Sequence, residues 1–424
     1  MNEVNNIPEG WRDTTLGEVA EIGSSKRIFF SEYVSEGVPF YRSKEVIEKQ
    51  KGNNISSELF ITEEKFQEID NKFGSPKKND LLLTSVGTLG VPYLVRENEK
   101  FYFKDGNLTW FKNYKGVEPY FLYNWLLSSI GKESLKKITI GSTQSALTIA
   151  GLRSIKITLP TQIEQKSIAA ILTAFDDKIE LLQAQNRTLE ETAQTIFKEW
   201  FGKYQIGDEL LEGWRVGKLG EIIEFINGYA FKSSDLLDEP TNDTFKVFKM
   251  GDIKRGGGFN PTKTKSYFSK SKVDKSSKYI LKNGDLLMCM TDMKDAISLL
   301  GHTALMIYDN EYIVNQRVGL IRANNNLFIE YPYLYLLTND SDFIANLRGR
   351  SNSGVQVNLS TDAIKDSQII IADKSTNKQF DNVVKPMFDK IKLNTEQIQI
   401  LTQTRDELLP KLMSGEIRVN EFNQ

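Results

Sequence analysis

The chain has 424 residues, 40% of them hydrophobic and 26% charged, with a formal net charge of −2. That length and apolar content suffice for ordinary cores in two or three domains of ~150 residues each. The near-neutral balance excludes a uniformly basic nucleic-acid coat, although a polyanion responds to local rather than net charge.

No apolar run approaches the roughly 18 residues of a membrane span, and Met1-Asn2-Glu3-Val4 lacks a basic and then apolar signal pattern. A cytoplasmic protein with no membrane partner is expected. The single cysteine, Cys289, sits in the apolar run Leu286 to Met290, and there is one histidine, His302. They allow no internal disulfide and no zinc site of the usual kind, so Cys289 reads as a buried inert thiol and no metal is expected.

In chain order, the first pattern is Glu9-Gly10-Trp11-Arg12 followed by Leu16-Gly17-Glu18. Short β-type runs follow at Leu81 to Val86, Phe101 to Phe103, Leu108 to Phe111 and Ile155 to Leu159, with a helical stretch from Tyr120 to Ile130. Residues 163–204 then carry a heptad of apolar positions: Ile168, Phe175, Leu182, Leu189 and Ile196 in one series, and Leu172, Ile179, Ala193 and Trp200 in the other, interrupted by Asn186. Gly202 to Leu211 ends that helix and forms a linker.

The opening pattern returns after 203 residues as Glu212-Gly213-Trp214-Arg215 and Leu219-Gly220-Glu221. The plan repeats with Asp285 to Met290, Arg317 to Arg322, Tyr333 to Leu337 and Gln368 to Ile371. At a shift of 212, Phe380, Met387, Asn394, Leu401 and Leu408, with Val384, Ile391, Ile398, Arg405 and Leu412, give a second seam. Pro410 is expected to kink or restart this helix near Leu409. A period of half the chain marks two similar domains rather than a solenoid.

The expected fold is α+β: two similar mixed α/β domains separated by two long antiparallel coiled-coil helices, related by a pseudo-twofold internal repeat. The expected division is a first globular domain at 1–160, a long helix at 161–204, a second globular domain at 205–372, and a second long helix with tail at 373–424. Antiparallel pairing sets Asn186 opposite Asn394, Leu182 opposite Ile398, Leu189 opposite Ile391 and Ala193 opposite Met387. A buried amide pair penalises slipped registers. The alternative is two amphipathic helices, each packed on its own domain.

Candidate DNA-binding residues follow from chemistry and place. Arg42, with Lys44 beside it, and Lys249 stand in equivalent positions after a β-type run, where a long cation either bonds a guanine edge, pins a phosphate or caps a strand. Lys246 to Lys282 holds eleven Lys or Arg against Asp252 and Asp274, with Lys254 and Arg255 beside Gly256-Gly257-Gly258; it reads as a phosphate grip or a solvated lysine-rich loop. The loop holding Thr143 and Gln144 and its counterpart holding Arg348, Arg350, Asn352 and Gln356 suit groove entry. Gln or Asn can bond adenine bidentately, although Gln144 and Gln356 serve equally as turn residues. Trp11 and Trp214 read as core anchors, and Asp176-Asp177 as a solvated helix face.

These motifs carry a resemblance. With Pro39-Phe40-Tyr41-Arg42, Leu81-Leu82-Leu83-Thr84, Gly87-Thr88-Leu89-Gly90, Gly141-Ser142-Thr143-Gln144, Asn315-Gln316-Arg317 and Leu408-Leu409-Pro410-Lys411-Leu412-Met413-Ser414-Gly415-Glu416-Ile417, the chain resembles the specificity subunit of type I restriction-modification enzymes along nearly its whole length. The resemblance implies two target recognition domains, each reading one half of an interrupted double-stranded DNA site. It also implies two methyltransferase subunits docked on the helices, with endonuclease/translocase subunits joining them. S-adenosylmethionine, ATP and Mg2+ would then be used by those partners, not by this chain. The residues agree that chemistry is absent: Asn260-Pro261-Thr262 lacks the aromatic of a base-holding methyltransferase motif, and Gly131-Lys132-Glu133 fails a phosphate-binding loop. The rival reading is a non-catalytic duplicated coiled-coil scaffold that binds proteins rather than DNA. A single-chain nuclease is disfavoured by the missing motifs.

Overall fold

Runs of apolar residues too short for helices, cut by glycine and asparagine turns, become strands that need a second layer to bury their faces. The computed structural model describes residues 7–50, 52, 55, 59–141, 145–261, 264–274, 277–293, 297–324, 327–352 and 356–419. By contacts the chain divides into unit 1, Met1–Gln183 with Gln397–Gln424, and unit 2, Ala184–Glu396. The cut falls within both long helices, so each unit takes half of each.

Unit 1 begins with β1 (Arg12–Thr15), α1 (Leu16–Val19), β2 (Glu21–Gly23), β3 (Val38–Tyr41) and α2 (Ser43–Gln50). Next come β4 (Phe60–Ile61), α3 (Glu63–Phe73), β5 (Leu81–Thr84), β6 (Pro92–Leu94), β7 (Tyr102–Phe103) and β8 (Leu108–Lys112). Helices α4 (Pro119–Leu127), α5 (Ser129–Lys137) and α6 (Ile149–Ser154) lead to β9 (Lys156–Leu159) and the long α7 (Gln162–Trp200). A four-stranded sheet runs β2-β8-β5-β6, a three-stranded one runs β4-β3-β7, and β1 pairs with β9. The central strand β5 is buried on both faces. Leu81 and Leu83 join a core with α4, Ile168 and Leu172, while Leu82 joins Tyr93, Phe103 and Trp110 on the other side.

Unit 2 repeats this. Its strands are β10 (Arg215–Lys218), β11 (Ile223–Asn227), β12 (Thr244–Phe248), β13 (Tyr267–Ser269), β14 (Leu286–Cys289), β15 (Thr291–Met293), β16 (Thr303–Leu305), β17 (Tyr312–Val314) and β18 (Val318–Ala323). Then come α8 (Tyr331–Thr338), α9 (Ser341–Arg348), β19 (Gln356–Asn358), α10 (Thr361–Lys365), β20 (Gln368–Ile371) and the second long helix, α11 (Lys374–Ser414). Sheets β11-β18-β14-β16, β13-β12-β17 and β10-β20 match those of unit 1, and β15-β19 is added. In that place unit 1 has isolated bridges, Val86 to Ala146 and Ile140 to Ala146. Tyr333 to Leu337, read above as part of the recurring plan, is the body of α8.

The two long helices run 39 and 41 residues. None of their heptad positions is exposed, as a coiled-coil seam requires. Within each unit the helix halves are antiparallel. In unit 1, Ile168 and Leu172 share a core with Leu408 and Leu412, and Asp176 meets Arg405. In unit 2, Phe197 packs against Phe380, and Asn394 Nδ2 donates to Asn186 Oδ1 at 2.9 Å. Ala193 and Met387 belong to one core there. α11 passes through Pro410 without a restart and continues to Ser414; burial of Leu412 and Met413 in the unit 1 core offsets the helix bond that proline removes.

Asp176 corrects the reading of its carboxylate as solvated. Arg405 occupies a seam position, and its Nη1 donates to Asp176 Oδ1 at 2.6 Å. A cation in a seam needs a counter-charge, and Asp176 supplies it. Burial raises the Asp176 pKa even against the opposing pull of Arg405. Trp11 anchors as expected: it is buried, and its Nε1 donates to Glu164 Oε2 at 3.0 Å. Glu164 also accepts from Arg418 Nε at 2.7 Å.

Asn394 is 1% exposed, and its Nδ2 donates to Asn186 Oδ1 at 2.9 Å and to Gln185 Oε1 at 3.4 Å, so removing Asn186 leaves a buried donor with only the longer bond. Asn186→Ala is expected to cost about 1 kcal/mol, lowering the melting temperature by about 2–4 °C. The double replacement Asn186→Leu with Asn394→Leu should melt at or above the wild type. Equal melting of Asn186→Ala and wild type would show that the amide pair contributes nothing.

Candidate nucleic-acid interface

In unit 1, hydrogen bonds draw five segments to one end of the sheets. Ser25 Oγ donates to the Phe103 carbonyl at 2.7 Å, and Arg27 Nε donates to Asp105 Oδ2 at 2.8 Å. Ser43 Oγ donates to the Asn107 carbonyl at 3.4 Å, and the Ser85 N–H to that same carbonyl at 2.8 Å. Leu147 N–H donates to the Ser85 carbonyl at 2.9 Å. The segments around residues 24–27, 42–45, 85–88, 105–107 and 145–147 therefore form one surface. A groove of about 480 Å³ opens there, lined by Ser43, Lys44, Val86, Gly87, Thr88 and Asn107 among others.

Unit 2 builds the same surface. Asn315 N–H donates to the Phe248 carbonyl at 3.0 Å, Met290 N–H to the Arg317 carbonyl at 3.3 Å, and Leu359 N–H to the Met290 carbonyl at 2.9 Å. Tyr229 bridges Asn315. Buried Asp292 accepts backbone N–H bonds from Ser298 and Leu299 at 2.9 and 2.7 Å, tying those two residues to β15.

Arg42 and Lys249 hold equivalent caps. The Arg42 backbone N–H donates to Glu45 Oε2 at 2.8 Å, and that of Lys249 to Asp252 Oδ2 at 2.7 Å. The Arg42 guanidinium folds onto the same Glu45 at 2.6 Å, and this bonding holds the Glu45 carboxyl below its ordinary pKa although burial opposes it. Lys249 Nζ donates to Ser266 Oγ at 2.6 Å. Both cations thus brace a strand end. Lys44 is exposed on the first turn of α2.

Lys254 and Arg255 are exposed at the tip of a turn closed by the Ile253 to Phe259 bridge. Gly256, Gly257 and Gly258 have φ of 83°, 98° and 94°, which a side chain would strain. The wider basic segment is partly neutralised, Lys246 by Glu311 and Lys272 by Asp235.

Arg348 ends α9 half-buried; its Nε donates to the Leu300 carbonyl at 3.0 Å, and burial lowers its pKa. Arg350 is exposed and donates to the Asp366 carbonyl at 3.2 Å. Asn352 is exposed, and its Oδ1 accepts the Asn358 N–H at 2.9 Å; Gln356 is exposed at the start of β19. Thr143 and Gln144 lie outside the described residues.

Two exposed pairs on these surfaces were absent from the candidate residues: Gln316 and Arg317 in unit 2, and Lys26 and Arg27 in unit 1. Asn315-Gln316-Arg317 separates the apolar runs of β17 and β18, and that spacing was the available signal for a strand-connecting loop. Among the described residues no group of three or more His, Cys, Asp or Glu side chains could hold a metal ion, and no helix is long and apolar enough to cross a membrane.

A family model described as Type I restriction modification DNA specificity domain matches the chain twice, over residues 8–191 and 211–403. The chain belongs to the type I restriction-modification specificity family. It is 26% identical over 443 residues to the type I restriction enzyme MjaIX specificity subunit of Methanocaldococcus jannaschii, covering 99% of this chain and 96% of that one. With the type I restriction enzyme HindI specificity subunit of Haemophilus influenzae it shares 23% over 476 residues, 96% and 99% of the two chains. The crystal structure of the type I restriction-modification S subunit from M. genitalium has the same fold, with a TM-score of 0.59 at 17% identity, covering 97% of this chain and 98% of that one.

Cys289 lies on β14 beside this surface. It is fully buried, and burial pushes its thiol up to about 11. A thiol reagent near pH 8 is expected to leave the native protein unlabelled and to modify one thiol on unfolding; rapid native labelling would show that β14 opens.

Proposed function

We propose that this specificity subunit reads a split duplex target, unit 1 binding one half-site and unit 2 the other through the loop surfaces described above. The observation that carries the reading is the duplication itself. The same five-segment surface is built twice on the same sheet order, yet Lys26, Arg27, Lys44 and Thr88 occupy the first while Gln316 and Arg317 occupy the second. One scaffold with two sets of side chains suits two unequal half-sites. In this reading residues 1–160 and 205–372 recognise DNA, and 161–204 with 373–424 act as spacers. Four added helix residues lengthen a spacer by ~6 Å, roughly two base pairs. The Asn186 and Asn394 pair sets the register of that ruler.

The chain has no chemistry of its own in this reading. Two methyltransferase subunits bring S-adenosylmethionine and methylate adenine, and endonuclease/translocase subunits bring ATP and Mg2+. A cytoplasmic location follows from that role. Docking of partners is supported by apolar side chains on the outer helix surfaces, Ile163, Leu181 and Ile400 in unit 1 and Val383 and Leu393 in unit 2. A further groove of about 480 Å³ in unit 1 is lined by Ala169, Ala170, Thr173 and Ala174, small enough to admit a partner helix closely.

Mapping methylated adenines in the source genome should return two short unequal half-sites with unread base pairs between them; one continuous motif contradicts the ruler. Titrating that duplex with the chain and its methyltransferase partners at several salt concentrations should give affinity that falls steeply with salt. Arg317→Ala should weaken binding and reduce the salt slope by about 1, as loss of one phosphate contact requires. A non-DNA scaffold gives no duplex affinity and salt-insensitive association.

A further inference from the structure

Phe30 is 87% exposed and Phe29 62% exposed, in a protein whose other phenylalanines largely fill cores. Burying such a ring is favourable, so the fold forgoes that gain twice in adjacent positions. The rings are held on a shaped support. Ile28 before them is buried in the core with Val38, Phe40 and Tyr102, and Val34 after them bridges Phe60. Between these anchors the Phe29 N–H donates to Glu32 Oε2 at 2.8 Å, and the Glu32 N–H returns to the Phe29 carbonyl at 2.9 Å. Lys65 Nζ pairs with Glu32 Oε1 at 2.9 Å, which leaves that carboxylate neutralised.

The turn stands at the rim of the unit 1 loop surface. Arg27, two residues before Phe29, is bonded to Asp105. Phe30 meets the ring of Tyr33 edge-on at 6.1 Å, and Tyr33 meets Phe40 at 5.0 Å. The Tyr33 hydroxyl lies close enough to Asp105 and Arg42 for both charges to act on its ionisation. Lys26 and Arg27 are exposed alongside, and Lys26 Nζ sits 5.3 Å from the ring of Phe73, itself half exposed. Cations flanking an apolar projection complement a duplex, in which phosphates border a stack of apolar base faces. In unit 2 the corresponding turn, Ser233–Asp235, carries exposed Lys232 and Ser233 at the places of Phe29 and Phe30, while Phe231, at the place of buried Ile28, packs on Phe268 at 4.7 Å.

Resting on the proposed reading of a split duplex target, we infer that Phe29 and Phe30 form a wedge that enters the DNA at the unit 1 half-site, unstacking one base step, while unit 2 binds its half without such an insertion. The unit 1 half-site is then selected partly by how readily that step opens. Flexible pyrimidine–purine steps are favoured at a position no polar side chain reads.

The test uses the chain with its methyltransferase subunits and a duplex carrying the genome-mapped site, with 2-aminopurine placed singly across both half-sites. Binding followed by anisotropy reports the parent reading, and 2-aminopurine fluorescence reports the wedge. With 2-aminopurine kept off the methylated adenines, which the methyltransferases must turn out of the stack in both halves, the wild type should brighten one position severalfold in the unit 1 half and none in the unit 2 half. Phe29→Ala with Phe30→Ala should abolish that signal and weaken binding about tenfold, while Phe30→Trp retains it. Tight, salt-dependent binding with no bright position overturns the wedge and leaves the reading of a split target standing. Loss of methyltransferase co-purification in the alanine variant also overturns the wedge, by making these rings a protein contact. Absence of duplex binding by the wild type overturns both.

Discussion

The antiparallel seam constrains everything else in the molecule, because neither set of short strands can close a core alone. In unit 1, β5 is sandwiched between two apolar layers, and one of them is completed by Ile168 and Leu172 from α7 with Leu412 and Met413 from α11. In unit 2 the matching layer uses Ala193 and Phe197 from α7 with Phe380, Val384 and Phe388 from α11. Removing either helix half would expose one face of the central strand, whose side chains are apolar on both sides. Within the seam Asp176 pairs with Arg405 and Asn394 Nδ2 with Asn186, while Asn394 Oδ1 is buried without a partner. Leaving either pair half-made would cost more than replacing it with apolar residues.

A rigid duplicated scaffold frees the loops to differ. Sheet order and register are carried by buried leucine, isoleucine and phenylalanine in both units, and the segments that carry charge contribute little to those cores. The cap on Arg42 and the cap on Lys249 show the division: the backbone bond to an acid three residues on is kept, while the cation and its partner change. Sequence can therefore drift at the surface without loss of the fold, which is how two related domains come to present different chemistry.

The duplication, the two helices and their seams could be read from the residues because a heptad and a repeat are local patterns with a fixed period. Asn186 and Asn394 stood out as polar interruptions of that period, and the amides meet. The carboxylates at Asp176 and Asp177 looked alike in sequence; only the seam position of Arg405 separates their environments, and that is a tertiary fact. Phe29 and Phe30 follow a buried isoleucine, so their pattern reads as core, and their exposure depends on which side of the turn the small sheet lies. The convergence of five loops was equally hidden, since contacts between residues such as Arg27 and Asp105 span some eighty positions. The division of each long helix between two cores has no sequence signal at all.

That division orders events during synthesis. Unit 2 is one unbroken segment, Ala184–Glu396, whereas unit 1 needs Gln397–Gln424 from the far end of the chain. Residues 1–183 are made before unit 2, yet their core lacks Leu408, Leu412 and Met413 until those residues have been synthesised as well. The later-made unit is thus the first that can finish folding, and the earlier one waits with part of its apolar surface open. Chaperone demand during translation should fall on the amino-terminal portion.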